Sequence, residues 1–389
     1  MNLKTTVLGI FFVGVAVTGS GCGNHVQFGL SNTGQSFKQG TSNFTNQLDV
    51  LWVVDNSNSM APLQSNMVNN FNSFLGSFQA KGWDFRMAVT TTDAYKADPG
   101  FTGYTSSNAN MAMFSDGTSQ TSFTGTFIII PSTPNLNNVF ITNATTGING
   151  SGDERAFSSM RTAMNSSLNP SFLRSNSFFA VIILSDEDDF SLNSRSEGSW
   201  GSNSALDHCY VDSTMDGIAT TPYSGPNHTT TCANQTPPDT VGSYVQYLDQ
   251  LTATTGAFRR YNVSTITILD SACQKQHEVD TNVAIVGQRY IQLSQEVNGV
   301  TGSICDPTYA NSLSAIATQI AVLSTQFFLT GEPNPTTFQI LVNGTAIPGD
   351  PNNGWTYNSA ANSIQFHGSA IPPQGANIQV NYTPLEVNH

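Results

Sequence analysis

The chain has 389 residues, only 10% of them charged, and acids outnumber bases 26 to 13 for a net charge of −13. That balance excludes a protein that neutralises the phosphates of nucleic acid or an anionic bilayer with basic surface. Hydrophobic residues make up 38% of the chain, with 24 Phe and 11 Tyr, so a core can form and the chain is not of the disordered class.

Met1–Thr18 carries Lys4 near its start and an apolar run from Val7 to Val17. The run is shorter than the ~20 apolar residues of a membrane span and suits a secretory signal. Gly19, Ser20 and Gly21 lead to Cys22. A small residue before Cys resembles a bacterial lipobox, so residues 1–22 read as a signal peptide and Cys22 as a lipidation site. Gly19 stands where lipoproteins carry an aliphatic residue, and ordinary cleavage near Gly21 is the rival reading. Of the five cysteines, removing Cys22 leaves an even set, as expected of an exported chain. The local pairs Cys209–Cys232 and Cys273–Cys305 are the favoured disulfides.

Gly23–Asn46 is polar and aperiodic and reads as a flexible tether. Gln47–Asp55 is a β-branched and aromatic run that ends on an acid, the pattern of a buried parallel strand. Met60–Phe78 has apolar residues at helical spacing. Asp84–Thr90 reads as a strand, Ser151–Met164 as a helix, and Phe178–Asp186 as a second buried strand ending on Asp. Val241–Thr254, Val263–Asp270 and Ser312–Leu323 follow as helix, strand and helix. This alternation predicts an α/β fold with a doubly wound, mostly parallel sheet over residues 47–330. Thr102–Asn137 reads as a hairpin or long loop, and Asp189–Pro238 as an insertion. Residues 336–387 show period-two apolar spacing broken by Asn343-Gly344 and Asn353-Gly354, which predicts a small C-terminal all-β, antiparallel domain.

The chemistry concentrates at Asp55-Asn-Ser57-Asn-Ser59, where a buried strand gives way to a helix. Ligand sites of open α/β sheets lie beyond the carboxyl ends of their strands. One carboxylate and two alternate hydroxyls are hard oxygen donors that suit Mg²⁺, Mn²⁺ or Ca²⁺. Asp186, inside Ser185-Asp186-Glu187-Asp188-Asp189, reaches the same rim. The local alternative is that Ser57 or Ser59 only caps the helix.

At this point the sequence resembles the von Willebrand factor A domain. The resemblance covers about Gln47–Leu329. The adhesion motif D-x-S-x-S is matched by Asp55, Ser57 and Ser59, and the family's later Asp by Asp186. The family's Thr before a central helix is absent; Asp153 is taken as the donor in its place, with Ser151 and, less favoured, Glu154 as the alternatives. The oxygen-rich run Thr90-Thr91-Thr92-Asp93 lies at the same rim. Gly287–Leu293 and Val300–Cys305 are similar to the family's late helix and edge strand. The resemblance implies a resident divalent cation whose open position takes a carboxylate from a protein or carbohydrate partner. It implies an exported, surface-anchored binding protein rather than an enzyme, attached to the membrane only by its lipid. A metal-dependent hydrolase and a purely structural envelope lipoprotein are the alternatives; neither HExxH nor GxSxG occurs.

Overall fold

The computed structural model describes residues 37–38, 42–43, 47–79, 83–101, 103–117, 123–191, 239–256, 259–281, 284–373 and 375–385. The signal peptide, Cys22, Cys209, Cys232 and most of the 189–238 insertion lie outside the described residues.

Two short strands, β1 (Phe37–Lys38) and β2 (Ser42–Asn43), precede the long strand β3 (Gln47–Val54). Next come α1 (Ala61–Gln79), β4 (Asp84–Thr91), α2 (Leu136–Ala144), α3 (Ala156–Asn165) and β5 (Phe178–Leu184). Then follow α4 (Val241–Thr252), β6 (Tyr261–Thr267), α5 (Ser271–Thr281), α6 (Gln288–Glu296), β7 (Thr301–Ser303) and α7 (Ala310–Ser324). The chain closes with β8 (Gln326–Phe328), β9 (Gln339–Val342), β10 (Thr345–Ile347), β11 (Trp355–Asn358), β12 (Ser363–Phe366) and β13 (Asn377–Tyr382).

Five strands form a parallel sheet in the order β4-β3-β5-β6-β7. The strand order reverses between β3 and β5, so these two flank the topological switch point. The run that opens at Gln47 is buried on both faces because each face is roofed by helices. Leu48, Val50, Trp52 and Val54 pack with Met67, Phe71 and Phe74 of α1 and Ile316 and Ile320 of α7. Leu51 and Val53 face the other way, onto Phe157 and Met160 of α3, Tyr244 of α4 and Leu293 of α6. The period-two alternation of a strand divides one apolar run between two cores. Trp52 anchors the first of them, edge-on to Phe74 at 5.1 Å and to Phe140 at 5.2 Å.

The C-terminal part is antiparallel, as its turn chemistry predicts, but it borrows strands from elsewhere. β8 pairs with β12, and β1 and β2 both pair with β13. Both short strands fall within residues 23–46, the stretch read as a flexible tether, most of which lies outside the described residues. Ile340, Ile364, Phe366, Ile378 and Val380 form a separate small core.

Two of the expected boundaries also shift, and two helices are new. The helix expected from Ser151 begins only at Ala156, the strand expected through Asp270 ends at Thr267, and α2 and α5 were not anticipated. Within the stretch read as a hairpin or loop, Ser106–Ala112 forms a 3-10 helix and Ile129 makes an antiparallel bridge to Met87 of β4.

The disulfide expected between Cys273 and Cys305 is present, with Cα atoms 5.7 Å apart. Among the described residues no helix is long and apolar enough to cross a membrane.

Candidate metal centre

The last rung between β3 and β5 sets the site. The Asp55 N–H donates to the Leu184 carbonyl at 2.9 Å, so Asp55 and Asp186 leave the sheet side by side. Asp55 is fully buried and both of its oxygens are used. Oδ1 accepts from the Ser57 N–H at 2.8 Å and Oδ2 from the Ser185 hydroxyl at 2.7 Å. The first bond folds Asp55–Ser57 into a tight turn and brings the Ser57 and Ser59 hydroxyls to 3.2 Å from each other. Neither serine acts as a side-chain cap, although Asn58–Met60 forms a 3-10 turn into α1. The local alternative for these serines therefore has no hydrogen bond behind it.

Tertiary bonds hold this loop from behind. Gln64 of α1 donates from Nε2 to the Asp55 carbonyl at 2.7 Å and to the Gly147 carbonyl at 2.9 Å. The Gly150 N–H donates to the Asn56 carbonyl at 2.7 Å. A Cβ on Gly150 would stand 2.5 Å from the Asn56 side chain, so only glycine permits this approach.

The loop before α3 brings the three alternative donors to the rim in different states. Ser151 accepts from the Asp153 N–H, and its own N–H donates to Asp93 Oδ2. Asp153 is engaged by Arg155, whose Nη2 lies 2.8 Å from Oδ2, and Oδ2 also accepts from the Tyr95 hydroxyl at 3.2 Å. Glu154 is fully buried, no N–H or hydroxyl donor reaches either of its carboxylate oxygens, and the Glu187 carboxyl lies beside it. Asp186 Oδ1 and Glu187 Oε2 are likewise buried without partners.

The electrostatics follow from that crowding. Burial and the nearby Asp186 push the Asp55 carboxyl up to about 7. Glu154 is held well above the usual carboxylate range by burial and then by Glu187, and Glu187 by burial and then by Asp186. Of the neighbouring cations, Arg155 pairs with Asp153, and Arg289 reaches Asp189 through Nη2 at 3.1 Å. Four mutually repelling acids, three of them with unpaired oxygens, form an environment that a divalent cation relieves. Among the described residues, no three His, Cys, Asp or Glu side chains are grouped so as to hold a metal by themselves. The residues that could hold a cation here are the two hydroxyls and one or two of the carboxylates, with water completing the set. That donor set fits Mg²⁺, Mn²⁺ or Ca²⁺.

Sequence reasoning missed His277. Its Nε2 lies 2.7 Å from Asp186 Oδ2, although the two are far apart in the chain. It also missed Ser185, whose hydroxyl bonds Asp55. Ser185 directly precedes the Asp186–Asp189 run, so its place at the strand end was visible. Nothing local marks His277.

No family model matches the chain, and no curated protein matches it. Solved structures match over most of its length. The open form of the pilus adhesin SpaC from Lactobacillus rhamnosus GG is 12% identical over 88% of this chain and 39% of its own, with a TM-score of 0.37. Proximal thread matrix protein 1 from the mussel byssus is 10% identical over 75% of this chain and 51% of its own, with a TM-score of 0.35. The three N-terminal domains of the type V pili tip protein Mfa5 from Porphyromonas gingivalis are 12% identical over 90% of this chain and 64% of their own, with a TM-score of 0.34. The chain thus spans less than two thirds of each. Likenesses this distant carry no argument about the site.

Proposed function

We propose that this is an exported surface protein of the von Willebrand factor A type that binds a partner through a divalent cation. The observation that carries the reading is the placement of Asp55 and Asp186 at the ends of the two strands flanking the switch point, with the Ser57 and Ser59 hydroxyls alongside. Asp55, Ser57, Ser59 and Asp186 would hold the cation, and Glu154, with both oxygens unpaired, is the best placed of the three alternatives for a further donor. The bound cation supplies a Lewis-acidic position that accepts a carboxylate oxygen from a protein or carbohydrate partner. Two aspartates balance a divalent charge, so the site is neutral and its open position can accept an anionic group; an ionised Glu154 makes the site net negative and weakens that binding. The cavity of about 770 Å³ bordered by Tyr95, Phe101, Tyr104 and Arg161 adjoins this rim through the Tyr95–Asp153 bond and offers space for the partner's flank.

A second reading draws on burial. Asp55 and Asp186 are both inaccessible to solvent, which favours a cation that only braces the fold of an envelope lipoprotein. Capture of envelope partners in Mg²⁺ or Mn²⁺, repeated with chelator and with Asp55→Ala, separates the two. Capture that is lost in both, with the fold intact, supports partner binding through the cation. Unchanged cation affinity in Asp55→Ala sinks the site for either reading. Anchoring is tested separately: Cys22→Ser is expected to leave the membrane fraction after clean signal removal.

A further inference from the structure

α5 approaches the candidate metal centre from the edge of the sheet. Asp270 Oδ1 caps it by accepting from the Ala272 and Cys273 N–H groups, each at 2.9 Å. Cys273 and His277 stand four residues apart on this helix and so share one face. Cys273 is bonded to Cys305 just beyond β7. Cys305 is itself fixed to the sheet: the Ile304 N–H donates to the Thr267 carbonyl of β6 at 2.9 Å, and the Cys305 N–H to the Ser303 hydroxyl at 3.2 Å. The disulfide thus fastens one turn of α5 to the end of the parallel sheet. One turn further on, His277 reaches Asp186.

Both partners of that contact are enclosed, with His277 7% exposed and Asp186 fully buried. His277 Nε2 lies 2.7 Å from Asp186 Oδ2, a hydrogen bond that the ring donates in the tautomer with its proton on Nε2. The main chain of Asp186 is held from the same side, where its carbonyl accepts from the Ile285 N–H at 3.2 Å. Oδ1 is left without a partner. One oxygen is therefore committed to the helix and the other is available to a ligand.

We propose that His277, held in place by the Cys273–Cys305 bond, is a positioning residue that fixes which oxygen of Asp186 serves the cation. The inference rests on the reading of Asp186 as a cation donor. A carboxylate free to rotate presents either oxygen and loses orientation entropy on binding. A carboxylate with one oxygen pinned is already aligned. Partners behind metal donors usually contribute about 10–100-fold in metal affinity.

The test uses the full mature chain and Mn²⁺ alone as probe, with affinity read by calorimetric titration. His277→Ala is expected to weaken Mn²⁺ binding about tenfold or more. His277→Gln keeps an N–H donor near the Nε2 position and is expected to recover most of that loss, which a merely structural histidine would not require. The double variant Cys273→Ser/Cys305→Ser is expected to show a loss of similar size. Adding His277→Ala to it should cost little more, because both changes release the same carboxylate. Mn²⁺ affinity within twofold of wild type in folded His277→Ala overturns the proposal. So does a disulfide loss that multiplies with the histidine loss. Should the disulfide variant not fold, the His277→Ala and His277→Gln pair decides alone. Asp55→Ala distinguishes the underlying reading: if it too binds Mn²⁺ as wild type does, the metal centre itself is misassigned. If only the His277 variants are silent, the positioning role alone fails.

Discussion

The Asp55 N–H donates to the Leu184 carbonyl across 2.9 Å, one residue beyond the last paired position of β3. The acid at the end of one strand is therefore fixed in position by the backbone of the next. The main chain at Asp55 stays tied to β5 when the side chain is changed, and a replacement that keeps an acceptor for the Ser57 N–H also keeps the turn.

Asp55→Asn preserves an acceptor for the Ser57 N–H and removes a buried charge facing Asp186. In chelator this variant is expected to melt at least as high as wild type, by about 2 °C or more if the relief is near 1 kcal/mol. Wild type should gain stability on adding Mg²⁺, about 2.7 kcal/mol at a hundredfold excess over Kd, and the variant should gain none. Differential scanning calorimetry with and without cation measures both; equal gains in the two proteins would contradict the site.

Glu154→Gln separates two consequences of one buried carboxylate. Its unpaired oxygens repel Glu187 when ionised, so the metal-free variant is expected to be more stable than wild type. If Glu154 is also a donor, Mn²⁺ affinity should fall at the same time. A titration that finds affinity unchanged removes Glu154 from the donor set.

Gly150→Ala tests the contact behind the loop. The new methyl meets the Asn56 side chain and carbonyl, so the Asp55–Ser59 turn must shift. A cost of about 1–3 kcal/mol is expected from such crowding, together with weaker cation binding. Gly152→Ala is the control, since nothing lies within 4 Å of a Cβ there. Equal behaviour of the two variants in urea melts and Mn²⁺ titrations would count against this account.

Arg174→Ala probes the other end of β3. Asp49 is fully buried there and satisfied by the Arg174 N–H at 2.7 Å, the Arg174 guanidinium and the Ser177 hydroxyl at 2.6 Å. Removing the guanidinium leaves a buried charge short of its partner, and a loss of about 3–5 kcal/mol is expected. Cation affinity of the folded fraction should not move. A large affinity change would mean that the two ends of the strand are coupled.

The parallel strands were legible because their signal is local: continuous apolar runs that stop on Asp55 and Asp186. The Cys273–Cys305 pairing followed from parity and proximity in the chain. The start of α3 was not legible, because Gly150–Arg155 is kept out of the helix by the bonds from Gly150 to Asn56 and from Ser151 to Asp93 and by the Asp153–Arg155 pair. Those partners lie in other segments or compete with helix formation through side chains. α2 and α5 did leave traces. Leu136, Phe140 and Ala144 stand at helical spacing, and Asp270 is a capping residue before a polar helix. The contact of His277 with Asp186 depends on the packing of α5 against the sheet end, and no pattern within either segment encodes it.

The pairing of β1 and β2 with β13 has a mechanical consequence. Tension applied to the chain ahead of Phe37 does not reach β3 first. It loads the few backbone rungs that join β1 and β2 to β13, and these must separate before the segment up to Gln47 pulls taut. The two short strands thus act as a fuse in series with the parallel sheet. Until they part, such load would not pass through β3 to the loop that carries Asp55.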